Sequence, residues 1–300
     1  MTQTAHTIRR AQMSLLAPLS RVVPPTGHTP EHAASVLEGR RFAVLTGAGI
    51  STDSGIPDYR GEGAPKNHPM SFHEFTGSLE RRRRYWMGAH VGWSRFHRAS
   101  PNDGHHAIAG FEADGWATGV ITQNVDGLHH DAGSKRVIDL HGRLDRVRCL
   151  DCGQSFTRAA VEQQMAEQNP GFLESVNPDH IRPDGDVEID PATPFQIPQC
   201  DVCQGTLKPE VVFFGEFVPP SVFTHAKALL DQSDALVIAG SSLVVNTGMR
   251  FVTQAQKRKM PIVVINRGPT KADSVATVRI EGGTSETLSA LFHLVRASVA

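Results

Sequence analysis

Four short apolar runs of strand length recur along the chain, separated by stretches of helical length. They are Phe42-Ala-Val-Leu-Thr46, Ala117 to Thr122, Ala235-Leu-Val-Ile-Ala239 and Pro261-Ile-Val-Val-Ile265. Continuous apolar strands that alternate with helices indicate a parallel sheet covered by helices on both faces. We therefore predict an α/β fold with a Rossmann-like, doubly wound parallel sheet.

Small or polar residues follow each of these runs. The successive strand ends lead into Gly47-Ala48-Gly49, Gln123-Asn124, Gly240-Ser241-Ser242 and Asn266-Arg267. Ligands of open α/β sheets bind beyond the carboxyl ends of the strands. This edge of the sheet is therefore the predicted binding cleft.

The alternating pattern is interrupted in the middle of the chain. Residues 143–209 hold two cysteine pairs and many prolines and polar residues, which predicts a small zinc-binding module inserted in the sheet domain. The sheet domain would then comprise residues 31–142 and 210–300. Residues 61–101 look like a helical excursion beside the cleft, and residues 1–30 like a disordered segment.

Two Cys-x-x-Cys pairs, Cys149 with Cys152 and Cys200 with Cys203, stand 47 residues apart. Two such turns can place four thiolates around one Zn²⁺ at about 2.3 Å. A closed site of this kind leaves no position for water, so the zinc would be structural. A pair of redox motifs or four unrelated thiols is the alternative.

The loop Thr46-Gly47-Ala48-Gly49-Ile50-Ser51 follows the first strand, and its small residues would let the backbone approach a phosphate. It is not the full dinucleotide fingerprint, because Thr52 stands where a third glycine is expected. An ordinary dehydrogenase is therefore disfavoured.

Amide and carboxylate side chains follow the second strand in Gln123-Asn124-Val125-Asp126. They could recognise a carboxamide such as nicotinamide by paired hydrogen bonds. A polar turn that caps a helix through Asn124 or Asp126 fits the spacing equally well. His141 ends a further short strand beside Gly142, and an imidazole at that position could act as a general base.

Composition limits the partners. The 30 basic and 31 acidic residues nearly cancel, so we expect no nucleic acid partner. No run approaches the roughly 20 apolar residues that span a bilayer, so we expect no membrane partner. Four cysteines in two pairs are typical of a reducing compartment, which predicts the cytoplasm of a bacterium or the mitochondrial matrix of a eukaryote.

Taken together, these motifs resemble the sirtuin family from about Phe42 to Leu291, and they occur in the family's order. The matching segments are GAGIS, GIPDYR, TQNVDGLH, His141-Gly142, the four cysteines, Val212-Phe-Phe-Gly-Glu216, Gly240-Ser-Ser242 and Asn266-Arg267. The segments LHGRLDRVRCLDCG, RPDGDV and LKPEVVFFGE are most similar to the class II branch, which includes a mitochondrial sirtuin with lipoamidase or ADP-ribosyltransferase activity.

The resemblance implies an NAD-dependent protein-lysine deacylase that transfers the acyl group to ADP-ribose and releases nicotinamide. NAD would be a consumed co-substrate, an acyl-lysine protein or peptide the partner, His141 the general base and Asn124 a second catalytic residue. The dinucleotide would be bound by Gly47, Ala48, Gly49, Asp58, Arg60, Gln123, Asn124, Asp126, Gly240, Ser241, Ser242, Asn266 and Arg267. A substrate peptide would lie between Phe214-Gly215-Glu216 and Val244-Val245.

Acyl preference is left open by the resemblance. Relatives that remove succinyl groups use a Tyr-x-x-Arg pair, and here Tyr85 is followed by Gly88 where the arginine would stand. A dicarboxylic acyl chain would lack its bidentate partner. Protein mono-ADP-ribosyl transfer is the alternative activity, and a zinc- and NAD-binding sensor without turnover is the alternative of another class.

Overall fold

The computed structural model describes residues 27–58, 69–176, 189 and 193–298. Its strands are β1 (Phe42–Thr46), β2 (Ala117–Thr122), β3 (Val137–Asp139), β4 (Gly142–Cys149), β5 (Ser155–Thr157), β6 (Leu207–Val211), β7 (Ala235–Ala239), β8 (Ile262–Asn266) and β9 (Val278–Glu281). Its α-helices are α1 (Pro30–Leu37), α2 (Phe72–Gly77), α3 (Leu79–Phe96), α4 (Asp103–Ala113), α5 (Leu128–Asp131), α6 (Arg158–Gln168), α7 (Phe172–Ser175), α8 (Pro220–Asp231), α9 (Asn246–Lys257) and α10 (Thr284–Ala297).

Six parallel strands form the main sheet in the order β3-β2-β1-β7-β8-β9. The four strands predicted from apolar runs occupy its centre, where every side chain is buried. Alternate residues point to opposite faces. Val44 and Val237 therefore pack with α1, α4 and α10, whereas Leu45 and Ile238 pack with α8 and α9. The predicted doubly wound parallel sheet is confirmed.

A second sheet has three antiparallel strands in the order β5-β4-β6. Together with α6, α7 and the four cysteines it forms a unit that we call the small module. Its core is continuous with α3, since Val147 and Met165 belong to the same buried cluster as Trp86 and Met87. The helical excursion and the small module are thus packed as one body.

The structure describes only part of two predicted segments, residues 1–30 and residues 61–101. Helix α1 begins at Pro30, the last residue of the segment expected to be disordered, and residues 1–26 of that segment lie outside the described residues. Helices α2 and α3 account for most of the helical excursion; residues 61–68, at its beginning, are outside the described part. Among the described helices, none combines the length and the apolar character needed to cross a bilayer.

Candidate active site

The loops that follow β1 and β7 are pressed against each other at the carboxyl edge of the sheet. The Gly49 N–H donates to the Gly240 carbonyl at 2.8 Å. A Cβ atom on Gly47 would lie 2.8 Å from Ser241 Cβ, and one on Gly49 would lie 2.9 Å from Gly240 Cα. The small residues of the predicted phosphate loop are therefore required by loop packing, which the sequence reasoning had not anticipated.

A buried hydrogen-bonded group connects the ends of β1 and β2. Ser51 donates its hydroxyl to Asp126 Oδ2 at 2.7 Å, and Asn124 Nδ2 donates to Ser51 Oγ at 3.0 Å. The other oxygen of Asp126 accepts from the Leu128 N–H at 2.9 Å, at the start of α5. Burial raises the pKa of the Asp126 carboxyl, although these hydrogen bonds oppose the shift. Asp126 thus has a helix-start role whether or not it also meets a ligand.

Gln123 links three strand ends. Its side-chain Nε2 donates to Ser241 Oγ at 2.7 Å and to the Thr46 carbonyl at 3.3 Å. Its main-chain carbonyl lies 2.8 Å from His141 Nδ1. Because the Gln123 amide nitrogen already has these partners, recognition of a carboxamide by this side chain stays a prediction.

His141 lies half-buried two residues after the end of β3, at the same edge of the sheet. Since a carbonyl oxygen can only accept, His141 Nδ1 must carry a proton and donate to Gln123. The neutral ring therefore has its lone pair on Nε2. Burial lowers the pKa of His141, and the Gln123 carbonyl partly offsets that effect. The ring is accordingly neutral near pH 7 and able to accept a proton at Nε2.

Sequence reasoning missed two polar side chains in this cluster. Thr247 Oγ1 lies 2.9 Å from His141 Nε2, and Ser51 joins Asn124 to Asp126. Ser51 stands within a motif that had been noticed, so its position after β1 could have identified it. Nothing in the local sequence identifies Thr247, because its contact with His141 spans 106 residues of chain.

The loop after β8 lies on the far side of the cleft-forming edge. Asn266 is buried, and its Nδ2 donates to the carbonyls of Arg267 and Gly268 at 2.7 and 2.9 Å. Asn266 therefore shapes this loop, while the Arg267 side chain is exposed. Asp58 is half-buried at the end of the segment that follows β1. Arg60 lies outside the described residues.

The predicted peptide-binding residues form a tight turn after β6. The Glu216 N–H donates to the Phe213 carbonyl, and the Phe213 N–H donates to Glu216 Oε2, both at 2.9 Å. Gly215 has φ +82°, a left-handed conformation suited to glycine. The buried Lys208 ammonium lies 3.1 Å from Glu216 Oε2 and so ties the turn to β6.

Two residues from the helical excursion, Phe72 and Tyr85, contact this turn. The Phe72 N–H donates to the Phe214 carbonyl at 2.9 Å. The Tyr85 ring on α3 packs edge-to-face on Phe213, with ring centres 5.2 Å apart. Across the cleft edge, Val244 is buried and its carbonyl accepts from Lys271 Nζ at 2.9 Å, while Val245 is half-buried.

The four cysteine sulfurs all lie within 4.8 Å of one another, and the cysteines are free thiols. Sulfur separations are 3.5 Å for Cys149 and Cys203, and 3.7 Å for Cys152 and Cys200. Four sulfurs tetrahedrally placed at about 2.3 Å from a zinc ion would be about 3.8 Å apart. The prediction of a structural zinc site is confirmed in this arrangement.

The electrostatics of the cluster also call for a cation. The Cys152 N–H lowers the pKa of the Cys149 thiol to about 7. The Gly205 N–H lowers the pKa of the Cys203 thiol, but the neighbouring Cys152 and Cys149 sulfurs outweigh it and raise that pKa to about 12. Four thiolates can therefore coexist here only with a dication among them.

Comparisons with known proteins agree with this geometry. The sequence profile described as the Sir2 family matches residues 47–247. The chain is 50% identical over 266 residues to NAD-dependent protein deacetylase 1 of Mycobacterium avium, covering 88% of this chain and 94% of that protein. It is 44% identical to NAD-dependent protein deacylase Sirt4 of Drosophila melanogaster, covering 83% and 81%.

A solved structure described as Sir2-p53 peptide-NAD+ superposes with a TM-score of 0.70 and 28% identity, covering 90% of this chain and 99% of the other. The class II assignment within the family stays a prediction. The long profile match, the identity to full-length relatives and the shared fold establish the family resemblance. This chain belongs to the Sir2 family, the sirtuins.

Proposed function

We propose that this protein removes acyl groups from protein lysines in an NAD-dependent reaction, passing the acyl group to ADP-ribose with release of nicotinamide. The observation that carries the proposal is the position of His141 at the carboxyl edge of the sheet, with Nδ1 fixed as a donor and Nε2 left as the proton acceptor. The hydrogen-bonded group of Ser51, Asn124 and Asp126 lies at the same edge. Relatives of 44 to 50% identity that are named NAD-dependent deacetylases or deacylases support the same activity.

The donor set at this edge fits NAD. Hydroxyl and amide groups and the backbone of small residues suit a dinucleotide, and both oxygens of the half-buried Asp126 carboxyl already accept hydrogen bonds within the protein. NAD supplies an electrophilic ribose carbon and nicotinamide as leaving group. We assign the dinucleotide to Gly47, Ala48, Gly49, Asp58, Arg60, Gln123, Asn124, Asp126, Gly240, Ser241, Ser242, Asn266 and Arg267.

His141 is the proposed general base. Its Nδ1 proton is held by the Gln123 carbonyl, which fixes the ring orientation and leaves Nε2 as the acceptor for a proton from a ribose hydroxyl. Burial lowers the pKa of His141, so the ring stays unprotonated at neutral pH. Asn124 donates its amide to Ser51 Oγ at 3.0 Å and is the proposed second catalytic residue.

The acyl-lysine peptide is proposed to bind as an added strand between Phe214-Gly215-Glu216 and Val244-Val245. The hydrogen bonds around Glu216 keep the first of these segments rigid before a peptide arrives. Tyr85 packs behind Phe213, and no arginine stands at position 88. We therefore expect neutral acyl groups to be preferred to succinyl.

The zinc is proposed to have a purely structural part. Cys149, Cys152, Cys200 and Cys203 would hold the ion, and four thiolate ligands would leave no position for water. We propose that the small module spans residues 143–209 and that residues 31–142 and 210–300 make up the sheet domain. The bacterial cytoplasm is the proposed compartment, since its reducing conditions keep the cysteines available for zinc.

The test is a mass-spectrometric assay of the purified protein with NAD and acetyl-, butyryl-, lipoyl- and succinyl-lysine peptides. We expect nicotinamide and O-acyl-ADP-ribose in equal amounts, with succinyl the poorest substrate. His141→Ala should lower the deacylation rate by about 10² to 10⁴, the usual contribution of a general base. The exposed His293→Ala serves as the matched control and should turn over as the wild type does.

Two results would contradict the proposal. Nicotinamide release without peptide deacylation would indicate protein mono-ADP-ribosyl transfer or NAD hydrolysis. Binding of NAD with no turnover of any peptide would indicate a sensor.

A further inference from the structure

The Nε2 atom of His141 has a protein partner of its own. Thr247 Oγ1 lies 2.9 Å from it, at the start of α9. The Nδ1 atom on the other side of the ring is fixed as a donor by the Gln123 carbonyl. In the neutral ring Nε2 can therefore only accept, so the Thr247 hydroxyl is the donor. Both nitrogens of the proposed base are thus hydrogen-bonded before any ligand enters.

The contact is unusual for a threonine in a helix. Thr253, further along α9, donates its hydroxyl back to the Met249 carbonyl at 3.0 Å, and Thr224 on α8 donates to the Pro220 carbonyl at 2.9 Å. This backward bond is the common arrangement of helical threonines. Thr247 cannot form it within α9, because residue 243 precedes the helix and has φ +57°. Its hydroxyl is directed at His141 instead.

A hydroxyl suits both protonation states of the ring. Rotation about its Cβ–Oγ bond lets it donate to the lone pair of neutral Nε2 or accept from the N–H of the imidazolium. No heavy atom has to move between the two arrangements. Hydrogen bonds to charged groups are stronger than those between neutral groups, so the imidazolium gains more from this partner than the neutral ring.

We propose that Thr247 is a positioning residue for the base. Its hydroxyl donates to His141 Nε2 in the absence of ligand and stops doing so when a ribose hydroxyl takes its place at the Nε2 lone pair. After proton transfer, the Thr247 oxygen accepts a hydrogen bond from the imidazolium N–H. This inference rests on the proposed function of His141. The proton moves from the ribose oxygen to Nε2, Thr247 keeps its own proton throughout, and the ring later releases the acquired proton to water.

Charged groups on the neighbouring segments have partners elsewhere. The carboxylate of Asp139 bonds His130 and the guanidinium of Arg143 bonds Asp145. The ionisable side chains on the β2–α5 loop, β3, β4 and α9 are Asp126, Asp139, Arg143, Asp145, Arg146, Arg148, Cys149, Arg250 and Lys257. Burial lowers the pKa of His141 and the Gln123 carbonyl opposes that shift, and removal of the Thr247 hydroxyl alters neither of these two influences.

The experiment compares Thr247→Val, which keeps the shape and removes the hydroxyl, with Thr247→Ser, which keeps the hydroxyl. Thr253→Val is the matched control on the same helix. Histidine-labelled protein is titrated by NMR without ligand, with His141→Gln to assign the resonance. The acetyl-peptide deacylation rate is then measured across pH, and thermal unfolding and zinc content are recorded for every variant.

For Thr247→Val we expect the pKa of His141 to fall by about one unit, since the imidazolium loses its acceptor. The acid limb of kcat/KM should move to lower pH by the same amount. We expect kcat to fall about tenfold, as for the loss of one hydrogen bond to a charged group, with little change in the KM for NAD. Thr247→Ser should restore both properties, and Thr253→Val should behave as the wild type.

Three outcomes decide the matter. An unchanged pKa of His141 and an unchanged rate in Thr247→Val would overturn the proposal while leaving the deacylase function intact. A fall in rate that Thr247→Ser does not restore, or one accompanied by a lowered unfolding temperature, would show a packing role and also overturn it. The pKa of His141 could shift in Thr247→Val as predicted while the wild-type protein deacylates no peptide. That result would support the hydrogen bond and refute the proposed function instead.

Discussion

Strands β7 and β8 of the parallel sheet bury all five of their side chains, whereas β4 of the small module alternates buried with half-buried and exposed residues. Strand β5 has no fully buried residue at all. The parallel sheet is covered on both faces and gains most of its stability from apolar burial. The described strands of the small module bury fewer apolar side chains, so this unit needs additional sources of stability.

A buried arginine connects the small module to the neighbouring helix α3. Arg158 on α6 is 1% exposed; its Nε donates to Glu162 at 2.6 Å and its guanidinium lies over the rings of Trp86 and Trp93. It also donates to the Ala89 carbonyl at 2.9 Å. These contacts join the small module to α3. A buried arginine with all these partners orients the two elements more than it stabilises them.

Removal of zinc should have the largest effect, because it should act on the small module and not on the parallel sheet. Cys149→Ser, or chelation, should release zinc and unfold the small module, because structural zinc contributes on the order of 10 kcal/mol to the folding of small zinc domains. The parallel sheet should keep its structure. Zinc content and hydrogen exchange of β4 and β7 measure the two regions separately.

Val202→Thr is the matched control, since Val202 lies between the second pair of cysteines and is exposed. It should retain the metal. Protection of β4 that survives metal removal would show that the small module folds without zinc.

A truncated side chain in the core of the parallel sheet should destabilise the protein while the zinc site keeps its metal. Ile238→Ala removes a fully buried side chain at the centre of the sheet and should lower the free energy of unfolding by about 2 to 4 kcal/mol. Urea unfolding measures the loss, and one zinc per chain should remain in the folded protein. Leu173→Ala, an exposed leucine of α7, should cost well under half as much. Equal losses of unfolding free energy in the two variants would contradict the inference that apolar burial stabilises mainly the parallel sheet.

Acid should destabilise the parallel-sheet region through a buried histidine pair. The rings of His105 and His129 lie 4.8 Å apart, and burial lowers the pKa of His105 to about 4 and that of His129 below its usual value. The unfolded chain protonates these rings near pH 6.5, so stability is complete above that pH and falls as the pH drops towards 4. His105 alone should account for about 3 kcal/mol.

Urea unfolding at pH 7 and pH 5, with excess zinc, tests this expectation. Stability should be lower at pH 5, and His105→Gln should show a smaller dependence on pH than the wild type. The exposed His293→Gln should leave the dependence unchanged. An identical dependence in His105→Gln and the wild type would contradict the contribution assigned to His105.

The parallel sheet could be predicted from local pattern because each of its central strands is a continuous apolar run. The zinc site could be predicted because each Cys-x-x-Cys pair fixes two ligands locally, and only the meeting of the two pairs required the fold. The edge strand β9 was not among the predicted strands. Its sequence Val278-Arg-Ile-Glu281 alternates apolar and charged residues and so is not a continuous apolar run. The structure accommodates the charged Arg279 side chain by pairing it with Asp273 and Glu281.

The sequence by itself determined the fold class and the cofactor class, because apolar periodicity, ligand spacing and ordered motifs are local or linear properties of the chain. Tertiary structure alone decided what each site residue touches. It showed that Gly47 and Gly49 are small because the Gly240–Ser241 loop presses on them, and that Thr247 meets His141. Such contacts depend on where separate strand ends converge in space, and no spacing along the chain encodes that distance.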